Sequence, residues 1–268
     1  MNRQQLISTI RQRKSFLCVG LDTDIEKIPA HLRSYDDPVF EFNRRIIDAT
    51  KEFCVAYKIN TAFFESLGAR GWQTMEKTFS YIGTSHFTIA DAKRGDIGNT
   101  CDMYAKAFFV QMNVDSITLA PYMGRDSIDP FLKYSDKWSI MLGLTSNPSA
   151  ANFQLLKDKN GNELYKNVIK TASTWGNPSN TMFVVGATKA EMLQQIRDII
   201  PEHFLLVPGV GAQGGSLEEV VKYGINKDVG LLVNSSRAII YASSGEDFEA
   251  KAAEEAKKMA IEMARLIG

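Results

Sequence analysis

The sequence predicts an α/β protein built as a single TIM (β/α)8 barrel. Three observations predict it. The chain has 268 residues, close to the size of one such barrel. Eight short, apolar, β-rich runs alternate with longer amphipathic stretches. Several of those runs end in charged residues, at the edge where this fold carries its chemistry.

Taken in order, Met1 leads into a short amphipathic helix. Strand 1 is expected at 16–21 (FLCVGL), followed by a helix over 38–51; strand 2 at 54–60 (CVAYKIN), with a helix over 65–81. Strand 3 at 87–93 (FTIADAK) precedes a helix over 98–112, and strands 4 and 5 follow at 116–120 (SITLA) and 139–145 (SIMLGLT). The connection 146–180 is the longest; it holds Asn147-Pro148-Ser149, the turn-rich 157–161 and a helix over 161–175, and is a candidate lid. Strands 6, 7 and 8 are expected at 182–187, 204–210 and 231–235, with helices over 189–200 and 216–223 between them. The stretch 245–267 is rich in Ala, Glu, Lys and Met, which are strong helix formers. Near-continuous apolar strands suggest a closed parallel barrel spanning 1–268, with an open doubly wound sheet as the alternative. No Ser/Gly-rich linker or charge block marks a second domain.

Composition narrows the function. Lys+Arg and Asp+Glu stand at 31 each, so no basic field points to nucleic acid or an anionic membrane, and any anion site must be local. Cys18, Cys54 and Cys101 show no C-x-x-C spacing, which suits a reducing cytoplasm and argues against a disulfide scaffold or a zinc site. No apolar run is long enough for a signal peptide or a membrane span. His31, His86 and His203 are read as structural or solvated, and Phe63-Phe64 as packing.

The polar residues inside the strands are the informative ones. Side chains alternate with period 2, so Cys18, Gly20 and Asp22 share a face, as do Ala56, Lys58 and Asn60, and Ile89, Asp91 and Lys93. If those faces point inward, Asp22, Lys58, Asn60, Asp91 and Lys93 converge on the barrel mouth. Buried charge is costly unless paired, and lysines interleaved with aspartates satisfy each other. A purely structural salt-bridge network is the plainer reading of any one of them.

The run 89–100, IADAKRGDIGNT, resembles the signature of the orotidine 5′-phosphate decarboxylase family. Further pieces match in order: Cys18-Val19-Gly20-Leu21-Asp22, Tyr57-Lys58-Ile59-Asn60, the Gly-rich 208–214 (PGVGAQG) and Asn234-Ser235-Ser236-Arg237. The resemblance implies a cofactor-free decarboxylation of OMP to UMP, with no metal, flavin or pyridoxal. It implies Lys93 as the cation beside C6 and the acid that protonates it, with Asp91 holding Lys93 near the substrate carboxylate. Lys58 and Asp96 complete an alternating Lys–Asp–Lys–Asp array. In the family, the residues matching Asp96 and Thr100 come from the neighbouring subunit, which implies a homodimer with shared sites. Asp22 and Lys58 are expected on the ribose hydroxyls with Asn60 beside them, and Thr145 or Ser146 on the pyrimidine. Pro208, Gln213 and Arg237 fall in the phosphate loops, where Gly209, Gly211, Gly214 and Gly215 let backbone N–H groups approach an anion and the 216–223 helix points its N-terminus there.

Two other readings compete. One is a metal-dependent sugar-phosphate decarboxylase or aldolase on the same barrel, with a related D-x-K-x-x-D motif. Such relatives add a strand-end carboxylate for Mg2+, whereas strand 2 here ends in Lys58-Ile59-Asn60, with no acid before Glu65. The other is a non-catalytic nucleotide-binding barrel, which would be expected to lack Lys93 or Asp91.

Overall fold

A computed structural model of the chain describes residues 1–186, 190–209 and 216–268. Eight parallel strands close into a barrel in sequence order. They are β1 (Leu17–Gly20), β2 (Ala56–Asn60), β3 (Phe87–Arg94), β4 (Ser116–Leu119), β5 (Trp138–Leu144), β6 (Thr181–Val185), β7 (Phe204–Pro208) and β8 (Leu231–Ser235). The ring closes where β1 pairs with β8, with Cys18 opposite Asn234. Each strand is almost wholly buried, as expected where helices cover the outside and side chains fill the inside.

Register fixes what faces inward. Gly20 lies opposite Lys58, and Asn60 opposite Asp91, so neighbouring strands carry their polar ends at one height. At the other end, alternate strands supply one aromatic layer. Trp138 of β5 meets Phe87 of β3 and Phe204 of β7 edge-on, with ring centroids 5.9 and 6.2 Å apart. Such edge-to-face pairs add about 0.5–1.5 kcal/mol to area burial. The helix Arg3–Arg13 starts on an Asn2/Gln5 capping box and buries Leu6, Ile7 and Ile10. Its Arg3 donates to the carbonyls of Pro178 and Glu202, ahead of β6 and β7, so this helix lies across the N-terminal end.

Arg197, on the helix Ala190–Ile199, is buried at the same end. Its guanidinium donates to the carbonyls of Gly224, Ile200, His203 and Gly230. Burial pulls its pKa down to about 10, so it stays charged at neutral pH. The planar five-donor fork thereby satisfies carbonyls that helix and strand ends leave open. His86 and His203, just ahead of β3 and β7, are buried, and burial lowers both to about 4.

Three elements depart from the sequence expectation. The 65–81 helix is two helices, Thr61–Glu65 and Gly68–Ile82. Gly68 adopts φ +65°, and a Cβ on Gly71 would lie 1.8 Å from the Phe64 carbonyl, so the chain turns and recrosses itself. The 98–112 helix is α only over Gly98–Ala105 and continues as a π-helical segment, Lys106–Gln111. The wider turn lets the consecutive rings of Phe108 and Phe109 both enter the core. The helix after β5 spans Leu164–Ala172, shortened by a turn in which Gly161 has φ +82°.

Candidate active site

The C-terminal ends of β1, β2 and β3 bring the paired charges together. Lys58, only 5% exposed, places Nζ 3.1 Å from Oδ1 of Asp22 and 3.0 Å from Oδ2 of Asp91. Asp91 uses its other oxygen, Oδ1, to accept from Nζ of Lys93 at 2.6 Å. The order around the mouth is therefore Asp22, Lys58, Asp91, Lys93. Burial alone would raise the Asp91 carboxyl, but Lys58 and then Lys93 outweigh it and hold the group at about 2. Burial alone would lower the Lys58 ammonium, but Asp91 and Asp22 hold it above its ordinary value. Lys58 and Asp91 stay charged at neutral pH because each stands between two opposite charges. Lys93 differs in exposure: 48% of its side chain remains accessible, at the open end of the row.

Beneath the row lies a cavity of about 180 Å³. Asp22, Lys58, Asn60 and Asp91 line one side; Pro208, Gly209 and the segment Asn234–Ala238 line the other. The oxygen of the Asn60 side chain caps the following helix by accepting from Ala62 N–H, so this residue both faces the cavity and starts a turn. Gly209 adopts φ +78° at the end of β7, a conformation that favours glycine. Arg237 stands exposed at the rim and forms no ion pair among the described residues. Gln213, with Gly211, Gly214 and Gly215, lies outside the described residues. Across the barrel seam, Ser236 donates to the Gly20 carbonyl at 2.9 Å. A Cβ on Gly20 would come within 2.8 Å of the Ser236 Cβ and 3.1 Å of Oδ1 of Asn234, so β1 and β8 approach this closely only with glycine there.

Some of the expected residues are not brought together within one chain. Asp96 accepts from the backbone of Ile97 and makes no ion pair among the described residues. Thr100 lies on the helix Gly98–Ala105, away from the cavity lining. Around them the surface is apolar: Ile97 is 57%, Met103 60% and Tyr122 91% exposed. Thr145 lines a different cavity, of about 400 Å³, with Phe153, Leu164 and Tyr165. Its N–H and hydroxyl both engage Gln154, and the hydroxyl also donates to Asn147. Ser146 lies against Gly186, where a Cβ would come 2.8 Å from the Ser146 nitrogen.

Three residues with a part in this geometry, Thr118, Tyr241 and Gln154, were missed from sequence, and a fourth, Asn234, was quoted within a motif without a role. Thr118 of β4 donates to Asp91 Oδ1 at 3.0 Å and accepts from the Lys93 N–H at 2.9 Å. Tyr241 accepts from Asp24 N–H and donates to the Asp22 carbonyl, bracing the loop that carries Asp22. Asn234 is 6% exposed, and its Oδ1, beside the cavity it lines, has no hydrogen-bond partner among the described residues. Gln154 holds Thr145. The inward alternation of Ser116 and Thr118 was a usable signal for the first; the other three lie in contacts between segments distant in sequence.

Comparison with known proteins points to one family. Residues 15–254 match the model of the family described as Orotidine 5′-phosphate decarboxylase / HUMPS family. A protein of Flavobacterium johnsoniae named orotidine 5′-phosphate decarboxylase is 62% identical over 270 residues, covering 100% of this chain and 98% of its relative. The structure of Leishmania donovani OMP decarboxylase superposes with a TM-score of 0.82 at 34% identity, covering 97% of this chain and 99% of that one. The structure of Leishmania donovani UMP synthase gives a TM-score of 0.83 at 36% identity; it covers 97% of this chain, which spans 57% of that longer protein.

Proposed function

Because the chain belongs to the orotidine 5′-phosphate decarboxylase / HUMPS family, we propose that the charged row at its barrel mouth converts OMP to UMP and CO2, with Lys93 protonating C6. The chain is a carboxy-lyase of this kind, and its reaction is the last step in making UMP. The observation that carries the reading is the Asp22–Lys58–Asp91–Lys93 row, built around the buried Lys58.

When the bond from C6 to the carboxyl carbon breaks, the electron pair stays on C6 and CO2 leaves. The ring delocalises that charge poorly, so the site must supply the compensation. A unit charge held about 3 Å away at an effective dielectric of about 20 is worth roughly 5 kcal/mol, and a preorganised group incurs no reorganisation at the moment of reaction. Lys93 is that charge; it then delivers a proton to C6 and regains one from solvent. Asp91 fixes the ammonium in place. Asp91 has both carboxylate oxygens engaged by lysines, Oδ2 by Lys58 and Oδ1 by Lys93, which disfavours its ligating a metal cation and supports cofactor-free chemistry.

Asp22 and Lys58 bind the ribose hydroxyls, with Asn60 next to them. Phosphate lies between Pro208, Gln213 and Arg237, and Thr145 or Ser146 meets the pyrimidine. The connection 146–180 acts as a lid over the single barrel. Asp96 and Thr100 reach the site of a second copy in a homodimer; the Asp96 carboxylate without an ion pair among the described residues, the open end of the row at Lys93 and the exposed Ile97, Met103 and Tyr122 support that arrangement. The reading includes neither nucleic acid nor membrane as a partner; formal charge is balanced, and among the described residues no helix is long and apolar enough to cross a bilayer. The three free thiols are all buried and suit the cytoplasm.

The test is the absorbance change as OMP is consumed by purified protein in excess chelator. Turnover is expected to persist there and to vanish in Lys93→Ala. A Lys93→Ala protein retaining a tenth of the activity would remove the proposed proton donor.

A further inference from the structure

We propose that Thr118 is a positioning residue for the decarboxylation, whose single hydroxyl sets both the backbone of Lys93 and the carboxylate of Asp91. The proposal rests on the reading of Lys93 as proton donor.

Three observations converge on it. Lys93 adopts φ +47°, the left-handed region that a lysine rarely occupies. At the same place the ladder between β3 and β4 slips: Ala90 lies opposite Ile117, but Arg94 lies opposite Leu119, so four steps on β3 answer to two on β4. A slip of this kind leaves a strand N–H without its backbone carbonyl. The Lys93 N–H instead donates to Oγ1 of Thr118 at 2.9 Å, and the ladder resumes when Ala120 N–H donates to the Arg94 carbonyl at 2.8 Å. Finally, Thr118 is wholly buried and points its proton at Oδ1 of Asp91, 3.0 Å away, the same oxygen that receives the Lys93 ammonium.

The hydroxyl has one proton. Spent on Asp91, it leaves the oxygen lone pairs for the Lys93 N–H, so the two bonds are compatible and oriented in one direction. One group therefore holds both ends of the Lys93 side chain: its backbone directly, and its ammonium through Asp91. The inward alternation of β4 puts Ser116 and Thr118 on the cavity side, yet Thr118 is absent from the lining of the nucleotide cavity. It touches the reacting groups' supports rather than the substrate's binding surface. Its loss should thus be felt in turnover more than in affinity.

The experiment compares Thr118→Val, Thr118→Ala and Thr118→Ser with the parent and with Lys93→Ala, each measured for kcat, KM and thermal midpoint. Val keeps the shape without the hydroxyl; Ala and Ser differ by one oxygen. Misplacement near the reacting atoms costs on the order of 10- to 100-fold. We expect kcat to fall by that factor in Val and Ala, to return to within about threefold of the parent in Ser, and KM to move less than about threefold throughout. Equal kcat in Ala and Ser would overturn the proposal. So would a loss seen in KM alone, or a chain that folds only with Thr or Ser at this position, which would make the hydroxyl a requirement of the fold. Should Val fail to fold, the Ala–Ser pair carries the comparison. Activity surviving in Lys93→Ala would instead reject the proton-donor reading, a separate result.

Discussion

Replacing Lys58 with Met removes the central cation and keeps nearly its volume. Lys58 is 5% exposed and bridges two carboxylates at 3.1 and 3.0 Å. At an effective dielectric of about 20, each contact is worth roughly 5 kcal/mol before desolvation, and breaking a buried pair costs about 3–5 kcal/mol in practice. For a chain of this length that corresponds to about 6–20 °C in thermal midpoint. The loss carries a pH signature. Asp91 is held at about 2 against an ordinary 3.8, so the stability it contributes is present above 3.8 and is lost as pH falls towards about 2. Without Lys58, burial pushes that carboxyl up instead, so the charged form destabilises at neutral pH and protonation relieves it. The gap between parent and variant should be widest near pH 7 and should narrow as pH falls through the acid range. Urea midpoints at pH 7, 5 and 3.5 read it directly. A gap that stays constant from pH 7 to 3.5, or no gap at all, would refute the claim that these charges are buried and mutually dependent.

Other expectations are simpler. Mixing Lys93→Ala with Asp96→Ala should restore activity, since one of the two sites in a mixed dimer then carries neither lesion; exchange is verified by mass spectrometry, and exchanged but dead dimers would place Asp96 in its own subunit's site. Arg237→Ala should raise KM for OMP by roughly tenfold to a hundredfold, the loss of a charge-assisted contact to phosphate, with a much smaller effect on kcat; an unchanged KM would take Arg237 out of the site. Arg197→Met should destabilise by at least about 3 kcal/mol in urea unfolding, because several buried carbonyls lose their donor at once, while the folded variant keeps its kcat.

The barrel was legible from sequence because eight apolar runs recur at regular spacing and a parallel strand buried on both faces has little freedom in composition. The charged row was legible for a related reason. Lys58 and Asp91 are too costly inside a strand unless something pairs them, and period 2 names the partners. What escaped the reading depends on geometry with no periodic trace. The break ahead of Gly68 answers to a backbone crossing near Phe64, and the π turn answers to two adjacent rings seeking one core. Thr118 looked like one more polar residue on a strand; only the slipped register beside it reveals why its hydroxyl is there. Asp96 was singled out by its motif, but the described residues of one chain give it no cationic partner.

The cavity at the barrel mouth straddles the join between the first strand and the last. Asp22 follows β1, Arg237 follows β8, and Ser236 reaches over the join to the Gly20 carbonyl. A growing or refolding polypeptide therefore possesses no partial version of this pocket: neither half of the ring contains both its Arg237 rim and its Asp22 and Asp91 carboxylates. Catalytic competence should appear late and all at once, trailing the gain of helical signal, so recovered turnover serves as a reporter of ring closure.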